Sequence, residues 1–132
     1  MADADPGAVL RRSKTIAVVG LSSNSARPSH GVARYLQSQG YRIIPVNPNE
    51  DEVLGERAYP LVGAIPEPVD LVDVFRASDA APEVARDAVR AGAKALWLQL
   101  GVRSDDARRI AREGGLDYVE DQCTKIVHAM TA

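Results

Sequence analysis

Short apolar runs alternate with helix-like stretches along this chain, and this alternation limits the possible folds more than any other feature. The first run, Thr15–Gly20 (TIAVVG), is unbroken and rich in β-branched residues, as expected of a strand buried on both faces. Further runs occupy residues 41–48, 69–75, 93–101 and 116–121. Repeated strand–helix–strand units with right-handed crossovers give a mostly parallel sheet. The sequence therefore predicts an α/β fold: a single doubly wound, Rossmann-like domain with a mostly parallel five-stranded sheet.

Capping residues predict where the helices begin and end. Ser29 is the expected N-cap of a helix that reaches Gly40, and Ser78 or Asp79 is the expected cap of a helix that stops at Gly92. Pro45 removes a donor from the second run, which predicts a bulge or a strand paired on one side only. The remaining predicted elements are a short strand at 57–59, a helical turn at 61–68, a capped helix at 104–115 and a closing helical turn at 124–130. Residues 1–132 are expected to form one domain, with 1–13 as a lead-in.

Composition excludes several classes of function. The chain has 132 residues, a net charge of −2 and 45% apolar residues, which is typical of one globular domain. With a slight negative charge and 5% aromatic residues, it offers neither the basic surface nor the stacking platforms of a nucleic-acid-binding protein. No segment approaches the roughly 20 apolar residues of a membrane span. We therefore expect neither nucleic acid nor membrane as a partner.

Cysteine and histidine are scarce. Cys123 is the only cysteine, and His30 and His128 lie far apart, so we expect no internal disulfide and no metal site. The N-terminal stretch is acidic and lacks the basic and apolar regions of a signal peptide. These features predict a cytoplasmic protein.

The connection that starts at Gly20 is the strongest candidate for ligand contact, because doubly wound sheets bind ligands at the carboxyl ends of their strands. A dinucleotide fingerprint needs G-x-G-x-x-G there, but Ser22 and Ser25 stand at the second and third glycine positions. A carboxylate is also expected about 20 residues on, at the end of the second strand. That strand ends in Asn47, so both tests for a dinucleotide site fail.

The same connection nevertheless favours an anion. The hydroxyls of Ser22, Ser23 and Ser29, free amides at the helix start and the helix dipole all favour negative charge. Arg27 adds a guanidinium with bidentate geometry toward phosphate. The alternative is that the serines only form caps and turns and that Arg27 is solvated. We expect a phosphate here, with His30 either packed on the helix or in contact with the ligand.

Five stretches occur in the order of a known family. They are KTIAVVGLSSNSARPSHGVARYLQSQGYRIIPVNPN, VLGERAYP, PVDLVDVFR, AKALWLQLGV and CTKIVHA. Over residues 14–128 the chain resembles the stand-alone CoA-binding protein family, which is similar to the N-terminal domain of the succinyl-CoA synthetase alpha subunit. The resemblance implies a Rossmann-type domain that binds coenzyme A through the loop after the first strand.

The resemblance also implies contact residues, carried over by position. Those expected near the diphosphate are Gly20, Leu21, Ser22 and Ser23, with Arg27 nearby; His30 stays a candidate contact from the residues alone. Those expected beside the adenosine or after the fourth strand are Asn47, Pro48, Phe75 and Arg76. Those expected at the pantetheine end are Gln99 and Gly101.

No catalytic constellation is visible in the sequence. Nucleophilic catalysis needs a nucleophile, a base and an orienting group, and nothing places Cys123 or His128 in the cleft. Cys123 is better interpreted as a small, half-buried apolar residue. Asp70 and Asp73 are three apart in one strand and are expected on opposite faces rather than as a carboxylate pair. The 132 residues also lack the second domain and the ATP-grasp partner of the larger synthetases, so the ligase reaction is not implied.

Three functions remain open at this point. The favoured one is a non-catalytic CoA-binding protein, such as a carrier or sensor of CoA or acyl-CoA. The second is a small enzyme, or a subunit of a split ligase, that acts on a CoA thioester. The third is an NADP-type dinucleotide-binding protein with an unorthodox loop. The sequence leaves the oligomeric state open.

Overall fold

A computed structural model describes residues 3–131 of the chain. The strands within this range are β1 (Thr15–Val19), β2 (Arg42–Val46), β3 (Glu52–Val53), β4 (Glu56–Arg57), β5 (Leu71–Val74), β6 (Ala95–Leu98) and β7 (Asp117–Val119). The α-helices are α1 (Pro6–Arg12), α2 (Pro28–Ser38), α3 (Ala81–Arg90), α4 (Asp105–Glu113) and α5 (Thr124–Thr131). Short 3₁₀ turns occupy Val62–Ala64 and Ser78–Ala80.

Five strands form an all-parallel sheet in the order β2-β1-β5-β6-β7, which confirms the predicted α/β class and Rossmann-like domain. The order reverses between β1 and β5, because the chain builds β2 on one side of β1 and then returns to the other. Residues alternate between the faces of each strand. Ala17 and Val19 pack in the core that includes α3 and α4, whereas Ile16 and Val18 pack in the core that includes α1 and α2.

Pro45 lies in β2, which is an edge strand of the main sheet. This agrees with the one-sided pairing that the proline predicts. Pro45 lies opposite Val18 of β1. On the outer side, a single parallel bridge joins Val46 to Tyr59, with the Tyr59 N–H donating to the Pro45 carbonyl at 3.0 Å. The strand predicted at residues 57–59 is thus split: β4 pairs antiparallel with β3, and only Tyr59 reaches the main sheet.

Two of the predicted helix caps are wrong. Helix α2 begins at Pro28 with Arg27 at the N-cap, and α3 begins at Ala81 with Ala80 at the N-cap; neither cap residue makes a side-chain hydrogen bond. Each helix instead has a proline in its first turn, where the fixed φ suits the helix and no amide donor is lost. The predicted cap of α4 is confirmed, because the Ser104 hydroxyl accepts from the Ala107 amide at 3.0 Å.

Part of the stretch expected as a lead-in is a packed helix. In α1, Val9 and Leu10 are almost fully buried. The Tyr41 hydroxyl also donates to the Leu10 carbonyl at 2.9 Å. This helix lies against α5, so residues 6–12 belong to the folded core.

Candidate functional site: a two-part cleft at the strand switch

Gly20 lies where the carboxyl ends of three strands converge. Its amide donates to the Val46 carbonyl of β2 at 2.8 Å, and its φ is +86°. A Cβ atom at this position would lie 2.4 Å from the Phe75 carbonyl oxygen, which follows β5. Glycine is therefore required here by the protein's own backbone, before any ligand is considered.

Two cavities open at this point and share Gly20, Asn47 and Phe75 as lining residues. The polar cavity has a volume of about 420 Å³ and extends over α3. Its other lining residues include Pro48, Pro60, Arg76, Glu83, Asp87 and Arg90. The shared residues join the two cavities into one elongated cleft across the strand switch, where ligands of doubly wound folds bind.

The apolar cavity has a volume of about 650 Å³ and lies between α2 and the loops that follow β6 and β7. Its lining includes Arg27 at the start of α2 and Gln99 after β6. Its apolar side chains include Val32, Phe75, Leu100, Val102, Cys123 and Ile126. One end of the cleft is thus suited to a charged group and the other to a slender, largely apolar one.

The cleft brings together eight of the twelve residues expected at the ligand. They are Gly20, Ser22, Arg27, Asn47, Pro48, Phe75, Arg76 and Gln99. These residues come from the loops after β1, β2, β5 and β6, which are the loops that the parallel-sheet rule singles out.

The other four expected contacts have structural partners near the cleft. The Leu21 side chain is fully buried, and its carbonyl accepts from Asn47 Nδ2 at 3.1 Å. His30 Nδ1 lies 2.9 Å from the Ser22 carbonyl, so the ring braces the loop. The Ser23 amide and the Gly101 amide donate to carboxylates, at 2.6 Å and 2.7 Å. None of these four residues lines either cavity.

Three amides in the loop before α2 already have partners, so they add nothing to the free amides expected at the helix start. The Ser22 amide donates to Ser29 Oγ at 3.1 Å, and the Asn24 amide donates to Ser22 Oγ at 3.0 Å. The Ser23 amide donates to Glu50 Oε2. Ser29, the expected cap, therefore stabilises the preceding loop from the first turn of α2. A phosphate that used the Ser23 amide would displace the Glu50 carboxylate.

Three arginines line the cleft: Arg27, Arg76 and Arg90. None of the three forms an ion pair within residues 3–131, whereas seven other arginines do. Arg42, at the start of β2, is by contrast held by two carboxylates, Glu56 at 2.6 Å and Glu67 at 3.0 Å. Hydrogen bonds from Arg42 to these carboxylates raise its pKa.

A closed ring of hydrogen bonds supports the floor of the apolar cavity. Gln99 Nε2 donates to Asp73 Oδ1 at 2.5 Å and to Thr124 Oγ1 at 2.9 Å, and the Thr124 hydroxyl donates to Asp73 Oδ2 at 3.0 Å. Asp73 and Thr124 are fully buried and Gln99 is 4% exposed. Burial raises the pKa of Asp73 to about 7, although both hydrogen-bond donors favour the carboxylate.

Asp70 lies outside this ring and accepts from backbone amides at the start of β1, so the two aspartates form no catalytic pair.

Cys123 lines the apolar cavity and is half-buried. His128 lines neither cavity, and its Nδ1 is hydrogen-bonded to the Tyr35 hydroxyl at 2.8 Å. Within residues 3–131 there is also no group of three metal-ligating side chains. No helix in the same range is long and apolar enough to cross a membrane.

Sequence reasoning missed several lining residues, among them Arg90 and Cys123. Arg90 shares one face of α3 with Glu83 and Asp87, and that face meets the cleft only because α3 packs beside β5. Cys123 lies in the loop that follows β7. Because ligands of doubly wound sheets bind at the carboxyl ends of the strands, this loop could have been predicted to line the cleft. Asp73 pairs with Gln99 and Thr124, which are 26 and 51 positions away in the sequence, and no local pattern predicts these contacts.

The fold and cleft match a known class of domain. The chain belongs to the CoA binding domain family, which matches residues 14–129. It is similar to the uncharacterized protein YneT of Bacillus subtilis, with 43% identity over 93% of this chain and 91% of YneT. A solved structure of a hypothetical protein from Pyrococcus horikoshii OT3 has a TM-score of 0.93 and 36% identity, covering 99% of this chain and 92% of that one.

A ligase contains a similar segment. The ADP-forming acetate–CoA ligase II of Archaeoglobus fulgidus is 32% identical over 83 residues. That alignment covers 61% of this chain but 12% of the ligase. The similarity is therefore to one part of a much longer protein.

Proposed function

We propose that this protein binds coenzyme A along the whole cleft, as a non-catalytic carrier or sensor of CoA or acyl-CoA. The observation that carries the proposal is an elongated cleft with apolar side chains around one end and, around the other, arginines that have no ion-pair partner among residues 3–131. Coenzyme A has the same polarity: a phosphorylated nucleotide is joined through a diphosphate to a slender pantetheine arm. Membership of the CoA binding domain family supports this choice of ligand.

The nucleotide half fits the polar cavity. In this arrangement Asn47 and Pro48 border the adenosine, and the diphosphate crosses the Gly20 turn beside Arg27. Arg76 and Arg90 supply positive charge for the remaining phosphate. Of the two carboxylates in this cavity, Asp87 is already used by the Val62 and Gly63 amides, at 2.8 Å and 3.1 Å. In this cavity Arg76 and Arg90 face the carboxylates of Glu83 and Asp87. Arg27 lines the adjoining apolar cavity and brings the cleft as a whole to three guanidinium groups against two carboxylates.

The contribution of Arg27 tests the proposed position of the phosphates. Hydrogen bonds to charged groups contribute about 1.5–3 kcal/mol, so Arg27→Ala is expected to weaken CoA binding roughly 10- to 150-fold in calorimetry. The loss should be smaller at high salt, because Arg27 is exposed and its charge is screened. Arg34→Ala is the matched control, since Arg34 is an exposed arginine on the same helix that lines neither cavity. Equal affinities for wild type and Arg27→Ala would place the phosphates elsewhere.

The proposal that the protein is non-catalytic is supported by the apolar cavity that Cys123 lines, because no histidine, aspartate or glutamate is among the residues within 3–131 that line it. Purified protein is expected neither to hydrolyse acyl-CoA nor to form a phosphoenzyme with ATP. The position of Cys123 in the apolar cavity is the one feature that favours the second function, chemistry on a thioester. Turnover of acyl-CoA that disappears in Cys123→Ser would establish that second function instead.

A further inference from the structure

We propose that the side-chain carbonyl of Gln99 accepts a hydrogen bond from a pantetheine amide, and that Asp73 and Thr124 are positioning residues that hold this carbonyl toward the apolar cavity. The inference rests on the proposed function, since it concerns how the same cleft recognises the arm of its ligand. It gives a role to the buried carboxylate of Asp73, which takes no part in the proposed binding of the phosphates.

The orientation of the Gln99 amide follows from the hydrogen-bond ring. A carboxylate only accepts, so the nitrogen of the amide must face Asp73. The two N–H bonds of Gln99 Nε2 are then both used, one by Asp73 and one by Thr124. Thr124 in turn donates its own hydrogen to Asp73. The ring leaves Gln99 with no N–H for a ligand.

The Oε1 atom of Gln99 remains available. It has no partner among residues 3–131, where every fully buried side-chain oxygen or nitrogen does have one. Oε1 must therefore keep some exposure, although Gln99 as a whole is only 4% exposed. Because Gln99 lines the apolar cavity, its free carbonyl is an acceptor for whatever occupies that cavity.

A ligand that fits must bring an N–H donor within an otherwise apolar arm. Apart from Gln99, the side chains from the loops after β6 and β7 and from α5, such as Val102 and Ile126, are apolar, whereas the other polar side chains of the cavity come from the segments that follow β1 and β2. The pantetheine arm has two secondary amides separated by short methylene segments, which meets this requirement. An acceptor left without a donor in a buried site is costly, so the ring selects amide-bearing arms over arms without a donor.

Two variants test the positioning role by calorimetry at pH 8, where Asp73 is mostly ionised. Asp73→Asn adds a donor and lets the Gln99 amide bond in either orientation, and Thr124→Val releases one N–H of Gln99. Both are expected to weaken CoA binding about five- to tenfold while leaving the affinity for the 3′-phospho-ADP half unchanged. Thr124→Ser, which keeps the hydroxyl, should bind CoA as wild type does. An equal loss for CoA and for the nucleotide half, or no loss for either, would overturn the positioning role.

A test on the unmodified protein applies even if these variants do not fold. Each of the two pantetheine amides of CoA is replaced in turn by an ester, which removes the N–H and keeps the shape. One of the two analogues is expected to bind at least about fivefold more weakly than CoA, because the Gln99 carbonyl then lacks its donor. If CoA binds and both esters bind equally well, the role of Gln99 is wrong and the proposed function stands. If CoA itself does not bind, the proposed function fails.

Discussion

At the scale of single residues, Gly20 and Asp73 carry constraints that the sequence only partly indicates. Gly20 is recognisable as the glycine that ends the first strand, and the family resemblance places it near the diphosphate. The structure adds a reason for glycine itself, the approach of the Phe75 carbonyl. Asp73 lies within an apolar run, and only its partners Gln99 and Thr124 explain a fully buried carboxylate.

The close approach at Gly20 predicts a large loss of stability in Gly20→Ala. Gly40 is the matched control, because its φ is also positive (+95°) but a Cβ there meets nothing within 4 Å. Gly40→Ala should lower the free energy of unfolding by about 1–2 kcal/mol through backbone strain alone. Gly20→Ala should lower it by about 1–3 kcal/mol more, because the Phe75 backbone must move. Urea denaturation measures both, and equal losses would contradict the role given to Phe75.

The raised pKa of Asp73 predicts a particular pH dependence of stability. Between about pH 4 and pH 7 the folded protein keeps a proton on Asp73 that the unfolded chain releases. This contribution to the free energy of unfolding is therefore largest at low pH and is lost as pH rises to about 7. A tenfold difference in proton affinity between the folded and unfolded states corresponds to about 1.4 kcal/mol, so the whole change is on the order of a few kcal/mol.

The Asp73→Asn variant isolates that contribution, because the other carboxylates are shared by both proteins. The free energy of unfolding of wild type, relative to the variant, should fall between about pH 4 and pH 7 and then level off. Chemical denaturation at a series of pH values gives this difference directly. A difference that does not change with pH would mean that Asp73 titrates normally in the folded protein.

At the scale of elements, α1 is the part of the fold that the family match does not include. The match begins at residue 14, yet Val9 and Leu10 of α1 are in the core. Leu10→Ala should lower the free energy of unfolding by about 2–5 kcal/mol, as truncations of buried leucines do. Arg11→Ala on the same helix should change it by less than about 1 kcal/mol, since its ion pair with Asp5 is exposed. Similar denaturation midpoints for the two variants would contradict the packing of α1.

The sequence predicts the sheet well because its strands are buried on both faces and therefore form unbroken apolar runs. It predicts helix starts less well, because serine caps compete with prolines that fix the first turn. Pro28 and Pro82 lie in the first turns of α2 and α3, and neither Ser29 nor Ser78 is the N-cap. Contacts such as Gln99 with Thr124, or Arg90 with the cleft, depend on how distant elements pack, and no local pattern encodes that.

At the scale of the whole molecule, positive charge is used in two different ways. Most arginines are held by carboxylates, for example Arg42 by Glu56 and Glu67. Those at the cleft are left without such partners among residues 3–131, in a chain whose net charge is −2. The cleft thus holds three of the six arginines that have no ion pair in this range, the others being Arg34, Arg57 and Arg86. This arrangement is compatible with binding of a highly charged ligand by a slightly acidic protein.

The proposal on which all the others depend is that this cleft selects coenzyme A rather than a nicotinamide dinucleotide. Calorimetric titration of the purified protein with CoA, NAD and NADP at one ionic strength compares the three ligands under the same conditions. We expect CoA to bind at least tenfold more tightly than either dinucleotide, a difference of about 1.4 kcal/mol or more. Equal or tighter binding of NAD or NADP would contradict this selectivity and restore the dinucleotide-binding function.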